Sequence, residues 1–470
     1  MRFPLSLSAY ALLALALYAS FGNAGEHISA VWLVPVLGAL ALAMLGARVG
    51  ADRLRHSRLW LFLLGSVVGL ELLALLRLSP VLSQTTILLP RRPLDYFEGV
   101  VEQWQRASSP GARFWLPASF AVALLGIALV CLPYSWPAMP GRRLRFPVIL
   151  SLYIYMGAWI IHTSPEPYID VWTTQQRACK LLLAGQNPYA GDYPNPYGRP
   201  DWFAPQVIWD GRIHAYQYPP LSLLLTLGGY VLGGDVRWSM LAATATAAAF
   251  MVAMGRKLGL RAGHPGELAA VALLCHPLSF LMVEMGWNEP FLALGLSVAG
   301  WAAAAGKTAS LANTLGPLAS VKQYGFLIVP PFWKLARAPL RLGLAGLVAA
   351  ILVVLPFFLW DPNAFWRGVV TFHLYSPMRT DHSLAISAAV ALATGYHMPA
   401  IVGLVAAVAA AWILVYRRSL SLSQALLAAA AILLSFVVFG KGGHPNYYWL
   451  ASACLAAGVV AAVGEISGKK

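Results

Sequence analysis

Acidic residues are scarce in this chain: 18 Asp and Glu in 470 residues against 33 Lys and Arg, with charged residues making up only 11% of the total. So little charge excludes a soluble protein, because no soluble core of this length can hide the apolar surface that remains. Cysteine is scarce too. Cys131, Cys179, Cys275 and Cys454 are far apart and mostly within apolar runs, which indicates neither a disulfide framework nor a metal site. The formal net charge of +15 does not imply a nucleic-acid partner, since Lys and Arg fall in short clusters and form no continuous basic stripe. No internal repeat and no soluble domain is visible.

What is present is apolar. Hydrophobic residues are 59% of the chain, mean hydropathy is +0.66, and stretches such as 31-VWLVPVLGALALAMLGA-47, 342-LGLAGLVAAILVVLPFFLW-360 and 447-YYWLASACLAAGVVAAVG-464 approach the roughly 20 residues that cross a bilayer. The expected fold is an all-α polytopic transmembrane bundle of about 11 to 13 spans. Basic clusters at 48–58, 141–145, 255–261, 334–341, 416–418 and 469–470 separate the apolar runs and belong in the cytoplasm by the positive-inside rule. The first 20 residues have the charge and apolar core of a signal peptide but, with so many spans following, read as an uncleaved first helix.

With the N-terminus inside, segments near 5–22, 31–47, 59–76, 114–133 and 147–163 return these clusters to the cytoplasm and leave 164–217 outside. That interval is rich in tyrosine and carries Trp172, Trp202 and Trp209, which suits a folded cap with short interfacial helices. A second outer interval, 77–113, contains 94-LDYFEGVVEQWQ-105, an amphipathic pattern for the interface. Segments 218–234 and 238–254 cannot both cross fully if 255–261 is inside, so one is short or re-entrant. The 383–416 stretch raises the same difficulty, and 309–334 reads as two short helices meeting at an outer break. Residues 1–146 form N-terminal helices without an assigned role; 147–470 form the module that carries the chemistry.

Asp170 starts an amphipathic stretch that ends at Gly185, Asn187 and Pro188. One reading makes it a helix cap. The other makes it a carboxylate at the mouth of a membrane cavity, able to take a proton from a hydroxyl. Tyr189, His214, Tyr216 and Tyr218 are candidates to line a sugar site, or to act as interfacial anchors. Glu284, Asn288 and Glu289 in 284-EMGWNEP-290 are polar at or near membrane depth, where a functional role is the default hypothesis and a capped turn the plainer one. Lys322, inside an otherwise apolar region, must snorkel or have a partner, because a Lys at a helix centre costs about 2.5–3.5 kcal/mol. The loop 440-GKGGHPNYYWL-450 sets Lys441, His444 and Tyr447 beside glycines that allow close approach of a phosphate, although a plain polar loop is the alternative. His373, Arg379, Asp381 and His382 form another outer cluster whose spacing matches no zinc pattern, and donor phosphate or loop structure is the reading preferred for it.

In their order, these pieces resemble the GT-C superfamily of integral membrane glycosyltransferases, most closely the polyprenyl-phosphate-mannose-dependent glycosyltransferase family 87. The likeness runs from about residue 150 to 450 and rests on Asp170, 181-LLLAGQNPY-189, 218-YPPL-221, 286-GWNEP-290, Lys322 and 441–448. The resemblance implies inverting transfer of one sugar, mannose or another hexose or pentose, from a polyprenyl-phosphate donor to a glycan, glycolipid or protein acceptor. Asp170 would be the general base, Lys322, Lys441, His444 and Arg379 the donor-phosphate ligands, and Tyr189, His214, Tyr218, Asn288, Glu289 and Tyr447 the sugar or acceptor contacts. No metal or other cofactor is indicated, since no carboxylate cluster with ligand spacing appears in the outer loops; the expected location is a bacterial cytoplasmic membrane with the active site on the outer face. Two departures stand out: the extra N-terminal spans, and Trp287–Asn288 where the family tends to have Gln and an acidic residue. The rivals are a secondary transporter or lipid flippase, which would also have broken helices and intramembrane charge, and a scaffold, which leaves Asp170, Lys322 and Lys441 unexplained.

Overall fold

A backbone in hydrocarbon has no water to bond, so apolar runs satisfy their own N–H and C=O groups as helices. The computed structural model describes residues 5–21, 30–49, 57–77, 117–135, 141–167, 169–336, 338–380 and 383–467, and it is 78% helical. The amphipathic pattern at 94–105, Asp381 and His382 lie outside the described residues. The N-terminal helices are α1 (Leu5–Phe21), α2 (Leu33–Val49), α3 (Ser57–Arg77), α4 (Pro117–Cys131) and α5 (Arg142–Thr163). Then come α6 (Asp170–Leu183), α7 (Pro220–Gly233), α8 (Arg237–Lys257), α9 (Leu268–Cys275), α10 (Pro277–Glu284), α11 (Glu289–Ala304) and α12 (Thr308–Leu315). The remainder comprises α13 (Val329–Trp333), α14 (Pro339–Trp360), α15 (Pro362–Trp366), α16 (Phe372–Tyr375), α17 (Ile386–Thr394), α18 (Ile401–Val415), α19 (Leu422–Phe439) and α20 (Pro445–Ser467).

Among the described residues six helices are long and apolar enough to cross a membrane: α2 with its preceding turn, α5, α8, α14, α19 and α20. The α9–α10 pair, bent by 45° at His276, makes a seventh if it counts as one span. Shorter apolar helices of 10–17 residues run through α1, α3, α4, α7, α11 and α18, and about 11 to 13 segments are reached only by including them. The difficulty at 218–254 resolves in favour of α8: α7 has 14 residues, or about 21 Å of helix, short of a hydrocarbon core of about 30 Å. The 309–334 stretch likewise breaks into two helical arms at Lys322, which is extended (φ −151°, ψ 142°) between two 3₁₀ turns.

The centre of the bundle is the α19–α20 hairpin. The most apolar windows of these helices are 83% and 78% buried, against 12% for α14, which faces outward along most of its length. Small side chains allow the close pairing, with 425-ALLAAAA-431 on α19 and 451-ASACLAAG-458 on α20. Their connecting loop is pinned to the 383–385 segment: Leu384 N–H donates to Gly443 O at 2.9 Å and Gly443 N–H to Ser383 Oγ at 2.7 Å. A Cβ at Gly443 would collide with the Leu384 carbonyl.

The 164–217 interval folds as a cap with its own apolar core, shared with Phe357, Phe365 and Phe372. Besides α6 it holds a three-stranded antiparallel sheet in the order β1 (Tyr193–Pro194), β3 (Arg212–Ile213), β2 (Ile208–Trp209). Short helices alone were expected there. The β2–β3 turn is Asp210–Gly211, with φ of 50° and 70°, the two-residue hairpin loop whose twist matches paired strands. Asp192 braces the sheet against α6, pairing with Arg177 at 2.6 Å and with Arg212. These guanidiniums hold its carboxyl below the ordinary value of 3.8. A depressed carboxyl stabilises the fold above its unfolded value and loses that contribution as pH falls through the folded one. Asp192→Asn is therefore expected to speed hydrogen exchange in peptides spanning 193–213 at neutral pH, while in the wild-type protein the brace fails only below pH 3.8.

Candidate functional site

Asp170 is the first residue of α6, and its side chain caps nothing: the N-cap position is Ile169 and has no side-chain cap bond. The carboxylate accepts from the Tyr197 hydroxyl at 2.8 Å through Oδ1, while the Asp170 N–H donates back to that hydroxyl at 3.1 Å. No hydrogen bond reaches Oδ2 among the described residues. The side chain is 7% exposed and faces a cavity of about 820 Å³.

Three anchors fix the helix that presents it. Gln175 donates to Gly286 O at 2.8 Å and to Asn288 Oδ1 at 2.9 Å. Gln176 bonds Gly234 O and the Val236 N–H. Trp172 donates to Asp235 at 3.3 Å, and Asp235 in turn holds the fully buried Arg237, whose guanidinium satisfies the α5 carbonyl of Ile161 and that of Ser164 just beyond. Glu284 is buried close to this group and does not line the cavity.

The same cavity is lined by Lys322, Lys441, His444, Arg379, Tyr218 and Tyr447, together with His373, Gln217, Tyr197, Trp202, Tyr324 and Asn446. Lys322 is buried and has the partner that its position demands, Glu289 Oε1 at 2.5 Å. That one oxygen also accepts from Tyr324 at 2.6 Å and Asn446 at 2.8 Å. The ammonium sits among the rings of Tyr218, Tyr324 and Tyr447, 5.1–5.7 Å from their centroids. Arg379 lies over Trp202 at 4.8 Å and over Tyr197 and Phe203 at 5.7 Å. Lys441 donates to the carbonyls of Leu374 and Ser376, and burial lowers its pKa from the ordinary 10.5. Neither Arg379 nor Lys441 has a carboxylate partner among the described residues. His373 Nε2 meets Gln217 O at 2.7 Å, and His444 lies 5.9 Å from the Tyr447 ring.

Four of the expected sugar or acceptor contacts do not line the cavity. Tyr189 is a core residue of the cap, donating to Tyr218 O at 2.7 Å and packed on Tyr216 and Phe365. His214 is stacked on Trp209 with centroids 3.7 Å apart. Asn288 holds α6 through Gln175, and Glu289 lies one layer back as the counter-ion of Lys322. Tyr216 is buried in the cap core as well. Among the described residues no group of three His, Cys, Asp or Glu side chains is placed to hold a metal.

The rest of the wall is apolar. Leu17 and Tyr18 of α1 join Leu278 and Leu281 of α10 on one part of it, and Phe326, Ile401, Leu404 and Phe436 form another. Phe326 and Ile401 are 47% and 59% exposed, so the apolar wall reaches the outer surface of the bundle. Tyr197, Gln217 and Tyr324 are the residues that sequence reading did not single out. Only the aromatic richness of the cap gave a signal, since Tyr197 meets Asp170 across 27 positions.

Removing Glu289 leaves a buried ammonium unpaired, a change worth about 3–5 kcal/mol. Glu289→Ala is expected to lower the melting temperature in detergent sharply, and Glu289→Leu combined with Lys322→Met to recover much of the loss. Equal stability of Glu289→Ala and wild type would remove the pair as a structural element.

The chain is an integral membrane protein with a multi-span helical architecture. Comparison with protein-family models, with curated proteins and with solved structures finds no match.

Proposed function

We propose that the chain is a GT-C-type glycosyltransferase that moves one sugar from a polyprenyl-phosphate donor to an acceptor hydroxyl, with inversion, at the outer face of a bacterial cytoplasmic membrane. The observation that carries the reading is a single cavity that joins a buried carboxylate, basic side chains of which Arg379 and Lys441 have no carboxylate partner among the described residues, and an apolar wall with exposed edges. An amphiphile with an anionic head matches that distribution. Its chain lies along the apolar side near Phe326 and Ile401, and its phosphate meets Arg379, Lys441 and His444, with Lys322 beneath.

In the reaction Asp170 takes the proton of the acceptor hydroxyl as that oxygen attacks the anomeric carbon. The carbon–oxygen bond to phosphate breaks, and its electron pair leaves on the phosphate. The donor's phosphodiester carries one negative charge and the departing monoester carries two, so the basic side chains stabilise the later state more than the earlier one. No acid is required for such a leaving group, in contrast to the paired carboxylates of glycosidases. Tyr197 orients the base by giving and receiving one hydrogen bond each with Asp170. The bend at His276 and the buried Lys322–Glu289 pair are features a secondary transporter or flippase also has.

Purified protein is expected to release or transfer label from polyprenyl-phosphate mannose, glucose or arabinose, tested with membrane-lipid, glycan and peptide acceptors. Asp170→Asn, folded by size-exclusion profile, is expected to lose at least 10²-fold, the lower end of general-base contributions. Activity surviving in that variant would remove Asp170 as the base. Movement of intact labelled donor across proteoliposomes without cleavage would favour the flippase instead. Because Lys441 loses its proton below the ordinary lysine value of 10.5, donor affinity is expected to fall on the alkaline side before that pH, and Lys441→Ala to abolish this limb.

A further inference from the structure

Three segments distant in the chain meet on one carbonyl at the cavity wall. Gln217, in the stretch that leads from β3 to α7, presents its carbonyl oxygen to His373 Nε2 at 2.7 Å and to Gln323 Nε2 at 3.0 Å. Gln323 begins the 3₁₀ turn after the break at Lys322, and His373 lies on α16, directly after a π-helical turn, Arg367–Thr371. The other amide hydrogen of Gln323 goes to Val369 O in that turn, also at 3.0 Å. Such turns are frequent at functional sites, and this one lies close against the cap: a Cβ at Gly368 would collide with the Tyr216 carbonyl. Gln217, Gln323 and His373 all line the large cavity.

These bonds fix which atoms are left over. A carbonyl only accepts, so His373 carries a proton on Nε2, and the nitrogen of Gln323 is the end that faces the two carbonyls. What remains is His373 Nδ1, a lone pair while the ring is neutral, and Gln323 Oε1. Neither has a donor among the described residues. The ring of His373 is open to the cavity but enclosed by protein. Burial pushes its pKa down to about 4, with the charges of Lys322 and Lys441 adding to the shift, so it is neutral at neutral pH. With its N–H spent on the carbonyl, His373 offers a phosphate nothing, and it separates from Arg379, with which the sequence grouped it. An ammonium or a metal ion is opposed by the two lysines. An apolar chain would leave both acceptors uncovered, whereas an uncharged, hydroxyl-rich group brings donors to them. We infer that His373 and Gln323 form a sugar-recognition patch, in which His373 Nδ1 and Gln323 Oε1 accept hydrogen bonds from the hydroxyls of a sugar in the cavity. The inference rests on the glycosyltransferase reading, and the hydroxyls belong either to the transferred sugar or to a glycan acceptor.

The test combines His373→Phe with substrates that lack one hydroxyl. In this variant the Gln217 carbonyl keeps its bond from Gln323, so the fold is expected to hold, as checked by size-exclusion profile and melting. With the donor that wild type uses, His373→Phe is expected to lower kcat/KM about 3- to 10-fold, the factor for one neutral hydrogen bond. One monodeoxy substrate is expected to cost a similar factor in wild type and nothing further in the variant. His373→Gln, whose amide supplies both a donor and an acceptor, is expected to recover part of the loss. Coupling to a deoxy donor assigns the patch to the transferred sugar, and coupling to a deoxy acceptor assigns it to the acceptor. Losses that add at every position, or wild-type activity in His373→Phe, would overturn the proposal. Where wild type turns over no donor at all, the reading of the reaction fails and the patch is judged by binding alone. Saturation-transfer NMR of methyl mannoside, glucoside and arabinoside on the full chain in nanodiscs is then expected to give a signal that weakens in His373→Phe; equal signals from the two proteins, or none from either, would overturn the proposal.

Discussion

The ion pair of Lys322 with Glu289 is the constraint around which the functional end of the molecule is arranged. Neither charge survives alone in a low-dielectric interior, so the segments that carry them must meet. Glu289 begins α11 and Lys322 occupies the extended break after α12. Asn446, in the first turn of α20, and Tyr324, in the following 3₁₀ turn, bond the same carboxylate oxygen. Three segments distant in the chain are thereby drawn to one point, and that point is the floor of the cavity. The break at Lys322 follows from the same requirement. A continuous helix through 316–328 would carry the ammonium on one face of a rod, whereas the extended residue sends it inward to Glu289.

The cap is positioned by an equivalent but gentler logic. α6 is amphipathic and cannot lie in hydrocarbon, so it rests on the bundle through amides and an indole: Gln175 on the α10–α11 turn, Gln176 and Trp172 on the α7–α8 turn. These bonds bracket α6 with two hairpin ends of the membrane helices. Asp170, at the near end of α6, is therefore held by elements that themselves cannot move without disturbing Arg237 and its carbonyls. The Asp192 brace then ties the sheet to the back of α6, and Arg379 closes over Tyr197, Trp202 and Phe203 at the front.

The part of this legible in the sequence is the part governed by local physics. Apolar length gave the helices, and Gly185, at φ 70°, stops α6 as expected. The cost of an isolated lysine correctly demanded a partner for Lys322 without naming it. Asn288 and Glu289 were recognised as out of place in an apolar environment, but whether they face a ligand or a neighbouring segment is decided by tertiary packing, and they face Gln175 and Lys322. Tyr189 and His214 show the other side of this: an aromatic residue in a cap has as much reason to pack in its core, as Tyr189 does, or on a neighbouring ring, as His214 does on Trp209, as to line a cavity. The hairpin was readable, since 208-IWDGRI-213 has an Asp-Gly loop between β-favouring residues; its strands are only two residues long, too short for any alternation to show.

The charge balance of the cavity follows from which ions are already paired. Lys322 is offset by Glu289, and Asp170 is held by a neutral hydroxyl, so the pair contributes no net charge and the carboxylate keeps its own. Arg379 rests on aromatic faces and Lys441 on carbonyls, contacts that orient a cation without neutralising it. Among the described residues these two cations line the same cavity as Asp170 without a carboxylate of their own. An anion drawn to them would lie within one cavity with the Asp170 carboxylate. Under the proposed reading, both signs lining one cavity serve a displacement at a carbon between two oxygens.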